Sequence, residues 1–543
     1  MGRLSFVFQL SLLLLLCSCS AYGADVYTKE VLTADLRYLA KTIEESHPDP
    51  YGGSGGKIAF HRKVYDLLVG IPQKGMNRED FYEHIRPLVA SVKDGHTALH
   101  PTKSSNDRDG HLPIRFSIVD EGLYVSSVAR EKLRPFLGAR LLTLNGISTK
   151  EMLNKLSDRV GFDNIYHALD GLGKTLCSRN KTYRLLPSQK MKAYAELELL
   201  GPNEKSVGSR LYYSAEHTKN WLTPKSKLEL PGHQKSDFAF SFMGPQKNVA
   251  FLSLLSMTGY REQLEFYRAV GRPWQDSARK AYLRFHGKAP PDNADATLAG
   301  TPALSEIFVN LAKKMKLNSA TALIVDLRNN HGGFSLATMI FLHVFAGVHK
   351  LPLMNVGYQI NRYSKLYFDN NKRLTLPKIN KGRSFPLNMG DYDFSGIAAF
   401  EAGLLPKGEE LMERATKLVP TYAKLTKTIG KGPLFEPSSL YVLTSAATYS
   451  SGFDLALTIS RLGGRTVGTP SAQAGNCFIN SLSFELPHSK IGGTISSKYS
   501  VKFPGAADGG KVHQPDQVVT YEDLFRNQFD PHTSLSLVLR ELQ

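Results

Sequence analysis

Cysteine is scarce in this chain: four in 543 residues, two of which, Cys17 and Cys19, fall in the first two dozen positions. If that leader is removed, only Cys177 and Cys477 remain as ordinary thiols. Two thiols can make one bridge at most, which excludes a disulfide framework. After the leader there is no run of about eighteen or more consecutive apolar residues, which excludes a second membrane span. The net charge of +18 is spread in singles and pairs without a Lys/Arg-rich run. Zinc-finger spacing, an RNP-type aromatic motif and a basic arm are all missing, so the charge reads as a solvated basic surface and no nucleic-acid partner is expected. The spacings H-E-x-x-H and C-x-x-C are missing too, and neither a metal nor another cofactor is expected.

What is present is a globular composition, 42% hydrophobic and 21% charged, in a chain long enough for two or three domains. It is preceded by an export signal: Arg3, an apolar stretch from Leu4 to Leu16, then small residues. Ala21-Tyr22-Gly23 suits cleavage for ordinary secretion, whereas Leu16-Cys17-Ser18-Cys19 loosely resembles a lipoprotein box that would leave Cys19 as a membrane tether. The expected location is exported, periplasmic or secreted, with the signal over residues 1–24.

The fold class expected is α/β and multidomain. Residues 25–105 read as a helical domain, with Leu32, Leu36, Leu39 and Ile43 at helical spacing and Asn77 capping a second run that contains Pro87. Residues 106–245 shift to strand periodicity, with a tight Asn145-Gly146 turn before a helix. From 246 to 543, "NVAFLSLLS", "ATALIVDLR" and "LYVLT" (440–444) are apolar strands. The second and third are each followed by a turn and a helical pattern, which implies βαβ units on a parallel sheet. An insertion over 351–437 carries one helix-like part, "GEELMERATKLVPTYAKL".

Two βα junctions could carry chemistry. In "DLRNNHGGF" (326–334), Gly332 and Gly333 let the backbone approach a ligand and leave N–H groups free at a helix start, the physics of an oxyanion hole; a plain turn explains them as well. In "TSAATYSSGF" (444–453), Ser450 and Ser451 stand where strand hands over to helix. They are either caps or a nucleophile followed by an oxyanion N–H. A serine nucleophile needs a base, and no lysine occurs from Ser451 to Ser489, which argues against a nearby Ser/Lys dyad. His96, in "SVKDGHTALHP", follows a helix and a glycine at a domain edge and is the candidate base. His100 and His47 are weaker candidates.

Taken in order, these segments resemble one family, the tail-specific or C-terminal-processing serine peptidases, and within it the branch like the tricorn protease core. "VKDGHTAL" resembles its D-G-H-T segment, "LIVDLRNNHGG" its D-L-R-x-N-x-G-G segment, "LYVLTSAATYSSGFDLA" its T-x-S turn, and "GARLLTLNGIS" the turn of its PDZ-like domain. The resemblance implies a crotonase-like (ClpP/crotonase) catalytic domain beside a PDZ-like β-rich domain, with peptide or protein substrates. It implies Ser450 as nucleophile, His96 as base, and oxyanion N–H groups from Ser451 and from Gly332 or Gly333. The family's acidic residue precedes a G-V-x-P-D segment that here reads "VHQPD" (512–516). On that alignment Asp508 orients His96, with Asp94 second. An inactive peptide-binding member and an esterase on the same site are the alternatives.

Overall fold

The computed structural model describes residues 26–101, 110–215, 220–233 and 236–543; the leader, with Cys17, Cys19 and Ala21-Tyr22-Gly23, lies outside them. Among the described residues the chain forms two six-stranded sheets, one five-stranded sheet and a two-stranded ribbon. No helix among them is long and apolar enough to cross a membrane.

The N-terminal helices run Lys29–Ser46, Lys57–Val69 and Arg78–Ala90. The third starts at Asn77, whose side chain accepts the Asp80 N–H at 2.8 Å, and it ends three residues after Pro87. Leu32, Leu36, Leu39 and Ile43 are fully buried, as the helical spacing predicts. Their core also takes in Phe484, Leu486, Ile491 and Ile495, from the hairpin Asn476–Glu485/Gly492–Val501. This helical layer therefore closes on a distant hairpin as well as on itself.

The central region is an antiparallel sheet ordered Ile114–Val119, Gly122–Val128, Arg140–Leu144, Tyr194–Leu200, Ser206–Tyr212. Asn145 and Gly146 both take positive φ, 52° and 78°, as a tight hairpin turn requires. The region is less β-rich than its sequence suggests: besides Thr149–Ser157 it holds helices Ile165–Leu176 and Arg179–Leu185. Two glycines, Gly171 and Gly173, weaken the helical signal of the longer one.

The α/β sheet is ordered Phe238–Met243, Val249–Leu254, Ala322–Asp326, Ser439–Thr444, Arg465–Gly468, Gln517–Val518. The first pair is antiparallel and the rest are parallel. The sheet therefore begins at Phe238, ahead of the boundary at 246. The 351–437 insertion is built into the five-stranded sheet, because Tyr358–Arg362 pairs with Gly492–Val501. Its helix-like part is two helices, Gly408–Thr416 and Pro420–Ile429: Pro420 has no N–H to continue the first and suits the opening position of the second.

Candidate active site

Two neighbouring strands set the site. Ala322–Asp326 and Ser439–Thr444 pair in parallel from Ala322↔Ser439 to Asp326↔Leu443, so both chains leave the sheet side by side at their C-terminal ends. Leu327 continues the pairing through N–H to Leu443 O at 3.0 Å. The two turns are then cross-tied. Thr448 Oγ1 donates to Leu327 O (2.8 Å), Tyr449 N–H donates to Asn330 O (2.9 Å), and Ser445 Oγ donates to Arg328 O. Asn330, fully buried, also accepts the Gly332 N–H (2.8 Å) and donates to Leu254 O (2.9 Å).

This framework gives the hydroxyls of "TYSS" different work. Thr448 pins the turn. Ser451, the first residue of helix Ser451–Arg461, bonds Ser335 Oγ at 3.1 Å. Ser450 stands at the N-cap position, yet its side chain caps nothing, and its backbone sits at φ 53°, ψ −128°. An uncapping serine with positive φ is not serving the helix; a non-glycine residue is held there only when its surroundings impose it. Gly332, at φ 91°, packs so closely that a Cβ on it would lie 2.5 Å from Ser450 Cβ and 2.8 Å from Ser451 N. Of the two glycine N–H groups, that of Gly332 is engaged by Asn330, while those of Gly333 and Ser451 have no acceptor among the described residues.

His96 is brought in by the loop after helix Arg78–Ala90. The two-residue strand Ala98–Leu99 pairs with Gly493 and Thr494, and Thr494 Oγ1 donates to His96 O at 2.9 Å. Gly95 is needed for the approach: a Cβ there would meet Tyr449 Oη at 2.5 Å and Asp163 Oδ1 at 2.8 Å. The His96 ring stacks on that of Tyr449, centroids 4.7 Å apart at 25°. Its Nδ1 lies 2.9 Å from Tyr449 Oη, which donates to Asp163 Oδ2 at 3.0 Å. Its Nε2 is buried and makes no hydrogen bond, so none joins it to Ser450 Oγ; such bonds often form only when substrate binds.

The acidic residues near His96 are not the one expected. Asp508 is exposed, and its carboxylate accepts the N–H groups of Gly510 (2.9 Å) and Val512 (3.2 Å). No hydrogen bond or ion pair joins it to His96 among the described residues, because the shifted "VHQPD" segment folds Asp508 onto its own turn. Asp94 is beside His96 but serves the loop: it accepts the His96 and Thr97 groups at 2.9 and 2.5 Å and lies 3.3 Å from His47 Nε2. Burial would raise Asp94, but the hydrogen bond and charge of His47 outweigh it and hold it below the usual carboxylate range. Asp163 goes the other way, pushed up to about 6 by burial despite the nearby His96. One donor atom each from Asp94, His96 and Asp163 falls within 4.8 Å of the others, but all four carboxylate oxygens are already engaged in hydrogen bonds.

The structure also brings in lysines from beyond the Lys-free stretch. Lys502 Nζ lies 2.9 Å from Asp454 Oδ1, one turn along the Ser451 helix. Lys498 donates to Gln359 Oε1 at 2.9 Å, and burial lowers its pKa to about 8. A cavity of about 620 Å³ reaches the site through Asp163 and Cys477. Its far wall carries Ile360, Tyr392 and Phe394 of the 351–437 insertion. Cys177 and Cys477 are both free.

The family model described as Peptidase family S41 matches residues 299–500. That segment of the chain carries the peptidase family S41 pattern. This peptidase is accordingly a serine-type hydrolase. The matched residues contain Gly332, Gly333 and Ser450 but neither His96 nor Asp163. No curated protein matches the chain. Among solved structures, mature CPAF complexed with lactacystin aligns at 13% identity over 95% of this chain and 99% of that one, TM-score 0.52. Mature CPAF alone aligns at 12% identity, over 93% and 96%, TM-score 0.51. At such identities the likeness is one of fold. The tricorn protease overlaps more loosely, at 12% identity and TM-score 0.33 over 95% of this chain and 36% of that one, so the branch rests on the motifs alone.

Proposed function

We propose that the peptidase is an exported endopeptidase using a Ser450/His96 pair and a backbone oxyanion hole, acting on peptides or proteins. The observation that carries this reading is the conformation of Ser450: an uncapped hydroxyl at positive φ, packed on the Gly332-Gly333 turn and followed by Ser451, whose N–H, like that of Gly333, has no acceptor among the described residues. In the reaction, His96 Nε2 takes the Ser450 proton as Oγ bonds to the substrate carbonyl carbon. The carbonyl oxygen becomes an oxyanion facing the two N–H groups, and the amine leaves with the proton returned by His96; water then repeats the sequence on the acyl-enzyme. Each oxyanion donor is worth about 3–4 kcal/mol of transition-state stabilisation. Gly332 is dropped from the donor pair, since its N–H is held by Asn330.

The finer architecture belongs to the same proposal. Parallel strands feeding both turns support a crotonase-like core, and the antiparallel sheet around the Asn145-Gly146 turn supports a PDZ-like domain. Export rests on the leader sequence, as does a tether through Cys19.

The test is labelling with a fluorophosphonate probe alongside peptide turnover. Wild type should label and cleave; Ser450→Ala and His96→Gln should lose turnover, and Ser451→Ala should stay near wild type because its N–H survives. Labelling that persists in Ser450→Ala sinks the nucleophile. Full turnover in His96→Gln with loss in Lys498→Met transfers the base role to the buried lysine. Ester turnover without peptide turnover makes the chain an esterase, and binding without either makes it an inactive relative.

A further inference from the structure

We infer that Tyr449 is a positioning residue which, with Asp163, holds His96 in the tautomer that leaves Nε2 bare as the base. The catalytic consequence rests on the Ser450/His96 reading; the geometry does not.

A phenol has one proton. Tyr449 Oη lies 3.0 Å from Asp163 Oδ2 and 2.9 Å from His96 Nδ1. An ionised carboxylate only accepts, so the phenol proton goes to Asp163 and the oxygen lone pair is left facing Nδ1. Nδ1 must then carry the imidazole proton, and in the neutral ring this leaves Nε2 without one. Nε2 is the buried nitrogen with no hydrogen-bond partner. Asp163 cannot swing away, because its other oxygen takes the Gly95 N–H at 2.9 Å. Tyr449 is clamped between rings, His96 on one side and His167 at 4.7 Å. In a Ser-His-Asp triad the carboxylate fixes the tautomer by direct contact; here the oxygens of Asp94 are engaged elsewhere, and Asp163 acts one hydroxyl further out.

The arrangement carries a pH dependence. Asp163 is faced by His96, Asp94, Tyr449, His167 and Cys477, with Lys93 and Lys511 on the same cavity wall. Burial holds His167 down at about 3 and Tyr449 far above its usual range, so both stay neutral. Burial raises Asp163 to about 6. Because Oδ1 must still accept from Gly95, a proton on Asp163 sits on Oδ2 and is donated to Tyr449. The phenol then donates to Nδ1, so a neutral ring carries its proton on Nε2. The base form is present above that pKa and lost as pH falls through it.

The test reads the tautomer directly. In the full chain labelled with ¹⁵N-histidine, long-range ¹⁵N–¹H correlations assign the protonated nitrogen of each ring, with His96→Gln identifying the signal. At mildly alkaline pH, wild type should show the Nδ1–H form, and the rings still neutral as pH passes down through about 6 should shift toward Nε2–H. Asp163→Asn should show Nε2–H in the neutral ring, at mildly alkaline pH as well, since its amide oxygen must face Gly95 and its NH₂ must face the phenol. Tyr449→Phe should lose the Nδ1–H preference. Turnover should fall roughly a hundredfold or more in Asp163→Asn, in kcat more than KM. An Nδ1–H form in both variants overturns the relay, as does an Nε2–H form in the wild type at mildly alkaline pH; the wild-type measurement stands if either variant fails to fold. Loss of the nucleophile reading would show separately, as probe labelling that survives Ser450→Ala with the tautomer result intact.

Discussion

Ser450 occupies backbone space that costs a non-glycine residue about 1–3 kcal/mol. Thr448 and Asn330 hold it there through bonds to Leu327 O and from Tyr449 N–H. Strain imposed at one hydroxyl by buried polar anchors is the signature of a site in which position has been favoured over stability. Ser450→Gly should therefore abolish turnover while raising stability by about 1 kcal/mol, seen as a higher Tm in calorimetry. A lower Tm would mean that the Ser450 side chain contributes more than its backbone costs.

At the scale of the element, the two βα turns act as one unit because Asn330 ties them together and to Leu254 O. Asn330→Ala leaves the Gly332 N–H and Leu254 O without partners in a dry site. It should cost about 2–3 kcal/mol and lower turnover with it, measurable by denaturant melts and kcat. The strand end behind the turn carries a second tie: Asp326 accepts from Arg328 Nε and Nη2 at 2.9 and 2.7 Å, while Arg328 Nη1 donates to Pro531 O near the C-terminal helix Thr533–Glu541. Burial pushes the Asp326 carboxyl up, but the Arg328 guanidinium outweighs it and holds the group below its ordinary value. A depressed carboxyl contributes stability that is present above its unfolded pKa near 4 and lost as pH falls through the folded value. Asp326→Asn should cost about 3 kcal/mol at neutral pH and flatten the stability-versus-pH curve below about pH 4. An unchanged acid limb would show the pair to be uncoupled from folding.

Across the whole molecule, distant stretches share cores. The N-terminal helices pack on the hairpin around Phe484 and Ile491, and the same hairpin pairs with the 358–362 strand and with Ala98–Leu99 just after His96. Loosening the helices should therefore loosen the site. Leu39→Ala, at a fully buried position, should cost about 2–5 kcal/mol and speed hydrogen exchange in residues 484–495 as well as in helix Lys29–Ser46. Faster exchange confined to the helix would mean that the layers unfold independently.

Local periodicity and turn chemistry were enough to place the strands Ala322–Asp326 and Ser439–Thr444, the Asn145-Gly146 turn and the helix after Ser450, because each depends on neighbours a few residues away. The same local order made "DGH", "HGG" and "TYSS" legible as pieces of one chemistry. Asp163 had no such signal. It lies in an ordinary loop and acquires meaning only where Gly95 and Tyr449 meet it, from 68 and 286 positions away in sequence. Asp508 failed for the complementary reason: a motif position carries no information about which way a carboxylate turns once nearby N–H groups compete for it. The sequence by itself thus determined the elements and the turn that carries Ser450. Only the tertiary structure decided which acid stands behind His96, since that contact is made across three separate layers of the fold.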